Sequence, residues 1–143
     1  MPETTETATL DRPTEEVFRY LADFGNLAEW DPGFESSERV DDGPLDVGSR
    51  FQATASFAGA EFPMELEIVH YDEPNHVVLK GTGDGLTTRE DIRVEPTSEG
   101  GSEVTYVSAF ETDKPDLLDA ASKPGFLLIG KNAIRGMKET LGR

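Results

Sequence analysis

The chain has 143 residues, 36% hydrophobic and 8% aromatic, and its 29 acids against 13 basic residues give a formal charge of −16. That length suits one domain, residues 1–143, and the negative charge repels nucleic-acid phosphates and anionic lipid alike, so neither is an expected partner. With no cysteine there is no disulfide, thiolate nucleophile or zinc–thiolate site, and no apolar run approaches the ~20 residues of a membrane span.

The opening MPETTETATL lacks the basic start and apolar centre of a secretory signal, so a cytoplasmic protein is expected. Thr5 to Leu10 reads as a short first strand. DRPTEEVFRYLADF then reads as a helix with proline in its first turn, Glu15 and Glu16 at the positive end of its dipole, and Val17, Phe18 and Leu21 on one face. GNLAEW predicts a second short helical turn, stopped by Asp31-Pro32-Gly33. Proline forces its predecessor towards extended geometry, so the chain turns there into a strand.

From Phe34 the period becomes two. FESSERV, SRFQATASF, FPMELEIVHY, HVVLKG, LTTREDIRVEP and SEVTYVSAF predict six strands, separated by turn-rich segments that include DEPN and Gly100-Gly101. Short connections make such strands antiparallel neighbours, and one-sided alternation means one face is covered while the other is wet. From about Pro115 to Leu141 the helical period returns, with Leu127, Gly130, Ile134, Met137 and Leu141 on one stripe and a break expected at Pro124-Gly125. Residues 1–114 hold 26 acids and 8 basic residues, whereas 115–143 hold 3 acids and 5 basic residues. The last segment therefore complements an acidic body, and a long helix there is the element left to cover the sheet.

This order, strand, two short helices, six strands, long helix, resembles the START-like (SRPBCC) superfamily, and within it the polyketide cyclase/dehydrase-like group. The resemblance runs over nearly the whole chain, through RPTEEVFRYLADFGNLAEWDPGFES, DVGSRF, the Gly-Gly turn into SEVTYVSAF, and the helix ending in MKETL. It implies an α+β helix-grip fold in which a seven-stranded antiparallel sheet curls around the C-terminal helix. It also implies a cavity between them, open to small apolar ligands. It does not imply a reaction, because fold alone never settles function.

Alternation assigns the inner sheet face to Phe51, Ala53, Ala55, Phe57, Met64, Leu66, Ile68, Val77, Leu79, Leu86, Ile92, Val104, Tyr106 and Phe110, with Thr88, Glu90 and Ser108 in the same phase. Ala53, Ala55 and Gly130 are too small to fill the space between sheet and helix, and are expected to leave a void. The expected ligand-binding set is Trp30, Phe34, Phe51, Ala53, Phe57, Met64, Leu66, Leu79, Leu86, Thr88, Glu90, Tyr106, Ser108, Phe110, Leu127, Gly130 and Ile134. Trp30 either packs under the short helices or presents an edge to the cavity mouth. These roles are compatible, since an indole can pack on one side and meet ligand on the other.

Glu90 and Tyr106 are the candidate catalytic pair. A carboxyl among Phe, Leu and Val has its pKa raised by burial, which is how a general acid or base is tuned. The competing readings are a register slip or bulge that turns Glu90 outward, or a salt bridge at the rim to the neighbouring Arg89 or Arg93. His70 and His76 flank the DEPN turn, and with Asp72 or Glu73 they match no ligand spacing, so no metal is expected. GTGDG, Gly81 to Gly85, links two strands rather than opening a helix, and no nucleophile elbow is present, so neither a nucleotide nor another cofactor is expected. Three functions follow: a module that binds a lipid, polyketide, isoprenoid or other aromatic molecule; a cyclase or dehydratase that uses the pocket acid; or a protein-interaction module. The expected partner is a small apolar or aromatic molecule, and a homodimer is compatible with this surface.

Overall fold

The computed structural model describes residues 3–57, 59–115 and 123–142. Its elements follow the expected order: β1 (Glu3–Leu10), α1 (Thr14–Ala22), a 3-10 turn (Phe24–Asn26), α2 (Leu27–Trp30), β2 (Phe34–Arg39), β3 (Arg50–Phe57), β4 (Ala60–Asp72), β5 (His76–Gly83), β6 (Leu86–Pro96), β7 (Ser102–Thr112) and α3 (Lys123–Leu141). The strands form one antiparallel sheet in the order β1-β7-β6-β5-β4-β3-β2. Hairpins join β2 through β7 in sequence, and β1 crosses to the far edge, paired with β7 from Glu3↔Ala109 to Leu10↔Ser102. The two helices of the β1–β2 connection bridge the edges of the sheet.

Two irregularities bend it. Register shifts occur between Phe34 and Ser36 on β2 and between Ile68 and His70 on β4. Bulges of this kind increase local twist and re-aim side chains. On β4 the shift leaves Val69 and His70 both exposed after the fully buried Ile68, which breaks the alternation.

Helix α1 buries Val17, Phe18, Leu21 and Ala22, while its acids Glu15 and Glu16 occupy the first turn and Arg19 the last. Both charge placements suit the helix dipole. Phe18 meets Tyr71 of β4 edge-on, with ring centroids 5.4 Å apart. Helix α3 lies along β1 and against α2, burying Ala133, Ile134, Met137 and Leu141. Its C-terminal end is tied down by the link after β1: Arg12 Nε donates to the Leu141 carbonyl at 2.9 Å, and Ser102 Oγ donates to the Arg12 carbonyl at 2.7 Å. A guanidinium on the last carbonyls of a helix satisfies orphan acceptors and complements the dipole.

Two expectations for the last segment are corrected. Leu127 does not join the buried stripe: it is 38% exposed, beside Leu128 at 55%. Gly130 does not face a void. It lies against β1, where an added Cβ would come within 2.5 Å of Thr4 Oγ1, so the missing side chain lets helix and strand approach. Helix α3 is described from Lys123, so Pro124-Gly125, where a break was expected, falls at the start of its described residues. Residues 116–122, where the helical period was also expected, lie outside the described residues. No helix among the described residues is long and apolar enough to cross a membrane.

Candidate functional site

A cavity of about 80 Å³ opens between the sheet and α3. Strand β3 gives it Ala55 and Ser56, β6 gives Leu86, Thr88 and Glu90, and β7 gives Tyr106, Ser108, Ala109 and Phe110. The corner after α2 adds Asp31, Gly33 and Phe34, and α3 adds Ile129. Alternation explains the spacing on β6 and β7: Leu86, Thr88 and Glu90 share one face, as do Tyr106, Ser108 and Phe110. The two sets meet across the ladder, with Glu90 opposite Ser108 and Thr88 opposite Phe110.

Glu90 turns inward and is only 5% exposed. No register slip occurs at β6, which pairs without interruption from Leu86↔Thr112 to Pro96↔Ser102. The Tyr106 hydroxyl donates to Glu90 Oε2. Burial pushes the Glu90 carboxyl up to about 8; the charge of Asp31 adds to the rise, and the Tyr106 hydrogen bond opposes it. Tyr106 is raised well above its ordinary value, first by burial and then by the negative charges of Glu90 and Asp31.

Asp31 is the residue that pattern reading misses. It is 3% exposed, and its Oδ1 accepts from the Gly33 amide at 2.8 Å. Burial raises its carboxyl to about 6, against the Gly33 hydrogen bond, which favours the charged form. In the sequence, Asp-Pro-Gly reads as turn chemistry, and the Asx turn is indeed present. The signal available was a charged residue directly after the only tryptophan. That its carboxyl comes within electrostatic reach of Glu90 follows from how the corner docks on β6 and β7, which no local pattern encodes.

Trp30 packs under the helices. It is 2% exposed, and its ring meets Tyr106 edge-on, with centroids 5.8 Å apart and planes at 83°. It backs the tyrosine and does not line the cavity. Its carbonyl oxygen would be 1.8 Å from a Cβ placed at Gly136 of α3, so α2 and α3 touch backbone to backbone.

Of the expected ligand-binding residues, the structure brings together Phe34, Leu86, Thr88, Glu90, Tyr106, Ser108 and Phe110 around the cavity. Phe51, Ala53, Met64, Leu66, Leu79 and Ile134 are buried but do not line it. The reason is packing: the core fills the rest of the sheet–helix interface, as where Phe51 meets Phe24 edge-on at 5.9 Å. Leu127 and Gly130 are absent from the lining, for the reasons given above, and among the described side chains of α3 Ile129 reaches it. The side chain of Phe57 lies outside the described residues.

His70 and His76 sit together away from the cavity, with ring centroids 4.5 Å apart and His76 Nε2 2.8 Å from Asp91 Oδ1. Among the described residues, no group of three or more His, Asp or Glu side chains is arranged to hold a metal ion.

The cavity is apolar on most of its wall and carries two carboxyls, a phenol and hydroxyls from Ser56, Thr88 and Ser108. Two carboxyls whose environments set their pKa values apart, one near 6 and one near 8, are able to act as a base and an acid at neutral pH.

A family model described as polyketide cyclase / dehydrase and lipid transport matches residues 1–143. No curated protein matches the chain by sequence. Among solved structures, the protein TTHA0849 from Thermus thermophilus is similar at a TM-score of 0.78 and 21% identity, covering 96% of this chain and 95% of its own. Major latex-like protein 151 from Panax ginseng is similar at 0.70 and 16%, covering 98% and 97%. The ZhuI aromatase/cyclase from Streptomyces sp. R1128 is similar at 0.69 and 12%, covering 97% and 95%. At these identities the likeness is one of fold.

Proposed function

From the premise that the chain belongs to the polyketide cyclase / dehydrase and lipid transport family, we propose that it binds a small, largely apolar or aromatic molecule between sheet and α3. The observation that carries this is the cavity wall: apolar side chains on most sides, with Asp31, Glu90 and Tyr106 converging on it. Apolar enclosure with a few fixed polar groups is the general form of a small-molecule site. Size limits the ligand. About 80 Å³ is well below the roughly 300–1,000 Å³ of drug-sized sites. A lipid, polyketide or isoprenoid therefore enters only by its polar end, and the rest of it lies at the mouth. The cysteine-free, acidic composition fits a cytoplasmic carrier or sensor.

The test is native mass spectrometry of whatever co-purifies, followed by NMR titration of the full chain with single-ring aromatic compounds. Saturable shifts at Ala55, Ser108 and Ile129 are expected, and Ala55→Leu, which fills the cavity, abolishes them. Binding that survives Ala55→Leu in a folded variant would refute the reading.

A second reading is favoured by the Asp31–Glu90 pair. The ionised Asp31 would remove a proton next to a ligand carbonyl while the protonated Glu90 donates to its oxygen, a general acid–base enolisation. Deuterium exchange next to the carbonyl of a small aryl ketone, followed by NMR, tests it. Exchange no faster than in buffer, or undiminished in Glu90→Gln, leaves binding alone.

A further inference from the structure

Asp31 and Glu90 reach one cavity from different elements, each more than nine-tenths buried. Among the described residues no Lys, Arg or His lines that cavity, and neither carboxyl belongs to an ion pair there. Buried carboxyls are ordinarily paired, hydrogen-bonded or neutralised. Each here has one hydrogen bond from the protein, from the Gly33 amide and the Tyr106 hydroxyl respectively. A third observation is independent of charge: the rings of Phe34, Tyr106 and Phe110 line the same cavity.

We propose that the ligand of this cavity enters by a cationic nitrogen, a protonated amine or amidine, held by Asp31 and Glu90 with aromatic rings around it. This rests on the ligand-binding reading above and names the chemistry of the same site. An ammonium offers several donors and no acceptor, which matches two carboxyls with few donors of their own. Tyr106, Phe34 and Phe110 give the same space ring faces and edges, and a cation is attracted to a ring face. The body charge of −16 raises the local concentration of cations and speeds their encounter. The groups that face the carboxyl pair are Tyr106 and Ser108 on β7, Thr88 on β6 and each other, while Ile129 of α3 carries no charge. Until a cation enters, protons take its place, so binding must release protons.

The experiment is isothermal titration calorimetry of the full chain at pH 7 with phenethylamine and with its neutral isostere 2-phenylethanol, in two buffers of different ionisation enthalpy. Phenethylamine is expected to bind about tenfold or more tightly than the alcohol, with proton release, since the ammonium replaces protons on the carboxyls and the neutral alcohol does not. Glu90→Gln should lower amine affinity and proton release by more than it changes alcohol affinity, and Ala55→Leu should weaken both compounds. Equal affinities without proton release would overturn the amine inference and leave the cavity reading standing. Amine binding untouched by Ala55→Leu would mean attraction to the acidic surface and would also overturn it. Binding of neither compound overturns both readings. If Glu90→Gln does not fold, the amine–alcohol difference and the proton release in the unaltered chain still decide.

Discussion

Glu90 sits where its charge is least welcome, and the consequence is a defined dependence of stability on pH. Its carboxyl titrates near 8 in the folded chain and at roughly 4.3 when unfolded. Between those values the folded state holds more protons than the unfolded one, so this group lowers stability as pH rises through the window. Asp31 acts in the same direction over a narrower range, ending near 6. Glu90→Gln removes the larger contribution while keeping a group that accepts from Tyr106. It should leave stability unchanged near pH 4 and raise it near pH 8 by several kcal/mol, up to about 5 at ~1.4 kcal/mol for each unit of pKa shift. Urea unfolding of both chains at pH 4, 6 and 8 measures the difference. A gap that is constant across those pH values would mean Glu90 ionises normally, and the buried-acid account would fail.

At the scale of elements, the decisive contact is α2 on α3, made by backbone rather than by side chains. Gly136 lies inside α3, where alanine would ordinarily be favoured by about 1 kcal/mol. Its added Cβ would stand 1.8 Å from the Trp30 carbonyl oxygen, a distance that requires the elements to separate. Gly136→Ala should therefore destabilise by roughly 1–3 kcal/mol, and the loss should appear in denaturant unfolding together with altered Trp30 fluorescence. A stabilised variant would show that the helices do not dock in this way. The order of β2 to β7 and the inward phase of Leu86, Thr88, Glu90 and Tyr106 were legible in the sequence, because period-two alternation and short turns act locally; the place of β1 beside β7 was not. What depends on two elements meeting was not. Gly130 reads as empty space along one helix but is occupied by Thr4 of β1. Leu127 keeps the apolar period but lies beyond the sheet's cover. Asp31 looks like a turn residue until the corner brings it to Glu90.

Over the whole molecule, the charge of −16 opposes folding by bringing like charges together, a cost that the unfolded chain relieves by expanding. The exposed face of α3 carries Lys131, Arg135 and Lys138, which offsets only part of the acidity of residues 1–114. Few surface pairs help, since among the described residues the ion pairs that involve exposed side chains, such as Lys114–Asp84 at 3.4 Å, are of the kind worth little in water. Screening should therefore stabilise the protein. Raising NaCl from ~0.02 to ~1 M shortens the Debye length from about 20 Å to about 3 Å. At pH 7 the unfolding midpoint should rise by roughly 3–8 °C, the equivalent of about 1–2 kcal/mol for a domain of this size. The same titration near pH 4.3, the isoelectric point of the sequence, separates charge screening from general salting-out. There the net charge vanishes, and the midpoint should move little with salt. A rise of equal size at both pH values would show that salt acts on apolar burial rather than on repulsion, and the acidic surface would then contribute nothing to the stability balance at neutral pH.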